Sequence, residues 1–142
     1  MSRKNMNKNL ELLLNISLLN TMIIKKMDRS LSVHGIAFSE FMVMYQISLA
    51  PHKTIRRIDL ADEVGMSASG ITRLLNPMEK IKLIEKEVNP RDARVSSVKL
   101  SNAGVELLHN AMKSLTQVSD EMLKEFNPKD IDLLLHFAKN IK

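Results

Sequence analysis

The chain of 142 residues contains no cysteine and no tryptophan, one tyrosine, four phenylalanines, four glycines and four prolines. Without cysteine there is no disulfide, no thiolate metal site and no thiol-based redox sensing, and an intracellular, cytoplasmic protein is the natural expectation. So little glycine and proline argues against a collagenous or disordered chain and for a helix-rich fold. The low aromatic content leaves Leu, Ile, Val and Met to fill the core. Long apolar runs are also missing. The Leu-rich stretch from Leu10 to Ile24 follows the basic residues Arg3, Lys4 and Lys8, but Glu11, Asn15, Asn20 and Thr21 interrupt it and no small-residue cleavage site follows, so neither a secretory signal nor a membrane span is expected. Catalytic constellations are lacking as well. His34, His52, His109 and His136 are scattered, and there is no HxxxH or HExxH spacing, no Gly-rich phosphate loop and no nucleophile motif. These absences exclude an enzyme and a bound cofactor or metal from the expectation.

What is present fits one globular unit of ordinary domain size. Hydrophobic residues make up 44% and charged residues 26%, with a formal net charge of +5. The basic excess sits in the first thirty residues and between residues 53 and 99, which makes phosphate or another polyanion a plausible partner. No internal repeat or low-complexity tract occurs.

Periodicity predicts a helix from Asn9 to about Arg29 with two apolar stripes, one through Leu12, Ile16, Leu19, Ile23 and Met27, the other through Leu10, Leu14, Leu18 and Met22. One neighbour cannot cover both stripes. Either the helix is central to its own core, or it is shared with a partner chain; the C-terminus favours the second. A connection over residues 31–38 leads to a core helix capped by Ser39 and ending before Pro51. Ser101 is the expected N-cap of a long helix reaching about Phe126, roughly 38 Å at 1.5 Å per residue. Pro128 and Asp130 open a last helix with Ile131, Leu134, Leu135, Ala138 and Ile141 on one side. Long terminal helices with surplus apolar surface suggest dimerisation, with packing on the same chain as the alternative.

Between these helices, residues 57–100 carry the most specific pattern. Leu60, Ala61, Val64, Gly65 and Met66, then Ile71, Leu74 and Leu75, supply a helix pair with a small residue at the crossing and a glycine in the turn. Ser67 is the expected N-cap of the second helix. With its apolar side turned inward, the second helix presents Ser69, Gly70, Thr72, Arg73 and Asn76, types suited to phosphates and base edges in a major groove. A plain solvated face would also accept them. Pro77 predicts a kink or break at Asn76. Residues 83–88 and 94–100 read as two strands joined by Asn89-Pro90-Arg91-Asp92-Ala93. Arg91 and Arg94 then stand near the hairpin tip, within reach of a minor groove, and Asp92 is assigned to bonding the turn or orienting Arg94.

The whole pattern resembles the multiple-antibiotic-resistance regulator (MarR) family of winged helix-turn-helix transcription factors. Leu60-Ala61, Gly65-Met66-Ser67, Ile71-Thr72-Arg73-Leu74, Glu79-Lys80, Leu83-Ile84, Asp92-Ala93-Arg94 and Leu100-Ser101 with Gly104 carry the resemblance, in order and spacing, over about residues 55–108. It implies a mainly α fold with a small β-hairpin wing, a winged helix-turn-helix over residues 39–100, and a helical dimerisation region from residues 1–38 and 101–142. It further implies a cytoplasmic homodimer that binds double-stranded DNA at a palindromic operator, represses nearby genes, and lets go when a small anionic or phenolic effector binds between the two regions. The DNA-binding residues so expected are Arg57, Ser67, Ser69, Thr72, Arg73, Asn76, Arg91 and Arg94; a cleft bordered by the first two helices and the long fifth helix offers His34, Met44 and Tyr45 as effector-site candidates, with ordinary core packing the favoured alternative. Three positions depart from the family pattern. Lys82 stands where a glycine usually ends the recognition segment, Ala93 replaces a frequently basic residue, and Arg56 replaces a capping Ser or Thr, leaving Thr54 or water to cap. A winged helix used only for protein contacts is the competing expectation; it predicts no salt-sensitive DNA affinity.

Overall fold

The computed structural model describes residues 5–89 and 91–142, and the side chains of residues 89 and 92–95 lie outside the described residues. In chain order the elements are α1 (Lys8–Leu31), α2 (Phe38–Leu49), β1 (Thr54–Arg56), α3 (Arg57–Val64), α4 (Ala68–Lys80), β2 (Ile84–Asn89), β3 (Asp92–Leu100), α5 (Asn102–Leu123) and α6 (Pro128–Asn140). Short 3-10 turns occupy Ser32–His34 and Pro51–Lys53. The fold is mainly α with a small sheet, as expected.

Helices α1, α5 and α6 start where a side chain takes up their first amides. The Asn7 carbonyl oxygen accepts from the amides of Asn9 and Leu10 at 2.8 and 3.2 Å, Ser101 Oγ from Gly104 at 3.0 Å, and Asn127 from Asp130 at 3.0 Å. Helix α2 begins one residue before the expected cap. Ala37, not Ser39, is its N-cap, because Glu40 reaches back to the Ala37 amide at 2.9 Å and Asp28 of α1 accepts from Phe38 N at 2.7 Å.

The hairpin is not alone. Strand β1, too short to stand out by period, pairs antiparallel with β3, giving a three-stranded sheet in the order β1-β3-β2 with Ile55 opposite Val98 and Ile84 opposite Leu100. A register shift between Val88 and Asn89 marks the approach to the hairpin turn. The core lies where α2, α3, α4 and the sheet meet: Val43, Met44, Ile47, Leu60, Leu75, Met78 and Val98 are fully buried. Helix α5 closes it with Leu108, Ala111 and Leu115, and α1 joins through Leu31. Ser30 Oγ and His34 Nε2 both meet Ser114 of α5, at 3.3 and 2.7 Å.

Beyond that contact the terminal helices leave their apolar sides open. In α1, Leu10, Leu12, Leu13, Leu14, Leu18, Leu19 and Met22 are exposed. Helix α6 contributes no buried residue at all, and Leu133, Leu134 and Leu135 are about half exposed or more. None of the described helices is long and apolar enough to cross a membrane.

Candidate nucleic-acid interface

The site is built on the α3–α4 pair. Helix α3 ends at Gly65, whose φ of 70° closes the turn, with Met66 N donating to Ala61 O at 2.9 Å. An L-residue with a side chain would be strained there. Ala61 is buried in the pair. Ser67 then caps α4, its Oγ accepting from Gly70 N at 3.1 Å and lying 3.2 Å from Ser69 Oγ. Ile71, Leu75 and Met78 anchor α4 from within, while Val64, Met66 and Leu74 are partly buried against the same core.

With that side fixed, Ser69, Arg73 and Asn76 are exposed and Thr72 is half-buried at the margin. Spacings of three and four residues put them on one face. Pro77 does not break the helix. Helix α4 runs on to Lys80, since the missing donor costs one bond near its end while Leu75 and Met78, on either side of Pro77, hold the turn in the core. The helix is therefore unbroken at Asn76, and its outer face continues to Lys80. Lys80, four residues after Asn76, and Lys86 of β2 border a shallow depression with Asn76 and Glu79; Lys86 Nζ lies 3.3 Å from Glu79. Neither lysine is among the residues expected from the sequence, although the helical spacing from Asn76 already places Lys80 on the same face.

Other expected residues fall differently. Arg56 and Thr54 do not cap α3, which has no side-chain cap. The Arg56 guanidinium instead pairs with Asp59 at 2.8 and 3.2 Å, and that hydrogen bond holds its pKa above the ordinary arginine value. Arg57 is half-buried, and its Nε and Nη2 are buried without a hydrogen-bond partner, so those two donors are not presented to a phosphate. Arg91 is exposed at the hairpin turn. The side chains of Asp92 and Arg94 lie outside the described residues. Across the sheet Lys99 is bridged to Glu87 at 3.1 Å and Glu85 at 3.7 Å. The hydrogen bond to Glu87, and then its charge, raise the lysine's pKa.

The three effector candidates are each engaged in packing or a hydrogen bond. Met44 is fully buried, Tyr45 stacks on Phe41 with ring centres 6.2 Å apart, and His34 is engaged by Ser114. A cavity of about 320 Å³ opens instead beside the turn after α2, with Ile47, Leu100 and Leu108 as apolar floor and His52, Lys53 and Lys99 around it. Its rim is strained: His52 and Lys53 both take φ of 58°, unusual for residues with side chains.

A helix pair, a crossing alanine, a turn glycine and an antiparallel wing coincide with a sequence match: residues 34–95 fit the model of the MarR family. Over its winged-helix segment this chain is similar to the MarR family. Similarity to individual MarR-family proteins extends over nearly the whole chain. The HTH-type transcriptional regulator MhqR of Bacillus subtilis (strain 168) is 22% identical over 135 residues, which cover 94% of this chain and 91% of that protein. A mutant MarR from E. coli, complexed with operator DNA, has the same fold with a TM-score of 0.83 at 22% identity over 94% of each chain. A MarR family regulator from Streptomyces coelicolor, also in complex with DNA, gives a TM-score of 0.82 at 17% identity, covering 94% of this chain and 86% of that one.

Proposed function

We propose that this chain is a transcriptional regulator that binds double-stranded DNA sequence-specifically as a homodimer. The observation that carries the proposal is the outer face of α4. Ser69, Thr72, Arg73 and Asn76 form one polar, cationic surface on a helix whose opposite side is locked into the core. Hydroxyls bond phosphate or base edges, Arg pairs with guanine, and Asn with adenine. MhqR carries the description of a transcriptional regulator, and the E. coli neighbour was solved on operator DNA, which supports the same use here.

The uncovered apolar surfaces of α1 and α6 support the homodimer. An isolated helix of 13 residues such as α6 is marginal in water, and a leucine taken out of water contributes about 1.5–3 kcal/mol, so these faces call for a covering partner. A second copy, related by a two-fold axis, presents a second α4 to a palindromic operator. Repression in the cytoplasm is the proposed mode, since a bound dimer excludes other proteins from its operator. For release we propose a small anionic or phenolic effector. The cavity beside His52, Lys53 and Lys99 suits an apolar body with one acidic group better than the packed surroundings of Met44 do.

The test is a DNA titration at several salt concentrations with the protein and its Arg73→Ala variant. The wild type is expected to show a log–log slope near −0.9 per neutralised phosphate. Arg73 is exposed, so the variant should stay folded and lose about tenfold or more in affinity. Salt-independent binding, or equal affinity of both proteins, would refute the assignment of α4 as the reading helix.

A further inference from the structure

Helix α4 ends in a turn that α5 holds from the other side. Lys82, at φ 62°, reverses the chain, with Lys82 N donating to Glu79 O and Leu83 N to Met78 O, both at 3.0 Å. The carbonyls of this turn are then taken by Ser101. Its Oγ lies 2.5 Å from Lys82 O and 3.1 Å from Leu83 O, and its backbone N–H donates to Leu83 O at 3.0 Å. The same Oγ accepts from Gly104 N at 3.0 Å as the cap of α5. Ser101 is itself only 9% exposed, a buried polar side chain with all its bonding directed at this joint. Gly104 completes it: a Cβ there would stand 2.1 Å from Leu83 O, so the first turn of α5 rests directly on the Leu83 peptide.

We infer that Ser101 and Gly104 are positioning residues for operator spacing. Through them α5, which packs against α1, sets the angle of the recognition helix. The lever is long. Helix α4 has 13 residues and spans about 20 Å, and its reading turn at Ser67–Thr72 lies at the far end from the joint. A tilt of about 10° at Lys82 moves that turn by about 3.4 Å, the rise of one base pair. A loose joint would therefore blur which distance between half-sites the two recognition helices fit, while leaving the residues that touch DNA unchanged.

The inference rests on the proposed DNA-binding dimer, and the experiment separates the two. Affinities are measured by fluorescence anisotropy for a selected palindrome and for the same half-sites with the spacer lengthened or shortened by one and two base pairs. The wild type is expected to disfavour altered spacers by about tenfold or more. Ser101→Ala and Ser101→Gly, the second keeping most of the helix-cap stability, should remain folded dimers by circular dichroism and light scattering, yet discriminate by less than about threefold. Ser101→Thr, which keeps the hydroxyl, should restore the wild-type profile. If both hydroxyl-free variants lose affinity uniformly while keeping the spacing preference, or lose nothing, the inference is overturned. A wild type with no spacing preference would overturn the dimeric-operator proposal along with it.

Discussion

At the scale of single residues, the departures from the expected pattern are where backbone conformation was in question. Lys82 was marked by the absence of a glycine at the end of the recognition segment, and it does adopt the left-handed conformation that glycine would take without strain. Lys82→Gly should therefore stabilise the protein by about 1 kcal/mol, or about 3 °C in melting temperature, with the denaturant slope unchanged; a lower midpoint in urea would show that the lysine side chain contributes more than the strain costs. The left-handed pair His52 and Lys53 gave no such signal, because neither residue type favours that region and the turn is fixed by tertiary contacts, including Lys53 Nζ on Ser48 O at 2.7 Å. Arg57 is expected among the DNA-binding residues from the family resemblance; its two buried, unpartnered nitrogens are invisible to sequence. Arg57→Met should leave the salt slope of DNA binding unchanged and raise the unfolding midpoint, since an apolar side chain of similar length loses no unmet donor. A slope smaller by about 0.9 would restore Arg57 to the phosphate-binding set.

At the scale of elements, the helices were legible where apolar period and a capping side chain agreed, as at Ser67 and Ser101. The boundary of α2 was misplaced because its caps come from Asp28, ten residues earlier, and from Glu40, neither of which marks Ala37 in the sequence. Strand β1 has three residues, too few for alternation to register, and exists because β3 offers it an edge. Continuity of α4 through Pro77 likewise reflects burial on both sides of the proline, a tertiary effect that local rules underestimate. The sheet holds a charged pairing that can be tested. Lys99 has its pKa raised by Glu87, so its contribution to stability is complete below the unfolded-state lysine pKa of about 10.4 and is lost as pH rises through the higher folded-state value. Lys99→Met should thus change the melting temperature by the same amount at pH 7 and pH 9, with the difference from wild type shrinking only above about pH 10.5. A difference that shrinks between pH 7 and pH 9 would contradict the raised pKa.

At the scale of the whole molecule, one compact winged helix carries two helical ends that it does not itself cover. The sequence made this visible as a double apolar stripe in residues 9–29 and a last helix of leucines; Leu18, on the second stripe, is 71% exposed, and Leu133, outside the side expected to be apolar in the last helix, is 68% exposed. Leu18→Glu and Leu133→Glu should each leave the helical content intact and shift the protein from dimer towards monomer in light scattering; an unchanged dimer would place the interface elsewhere. The cavity beside His52, Lys53 and Lys99 was the least legible part, since it arises from the meeting of α2, β3 and α5 and no local pattern announces it. The central claim, two α4 faces reading DNA from one dimer, is tested most directly by selecting bound sequences from a random duplex pool. The account predicts enrichment of an inverted repeat whose half-site centres lie about one helical turn apart, roughly 10–10.5 base pairs, or a multiple of it. Enrichment of no sequence, or of a single unrepeated site, would contradict it.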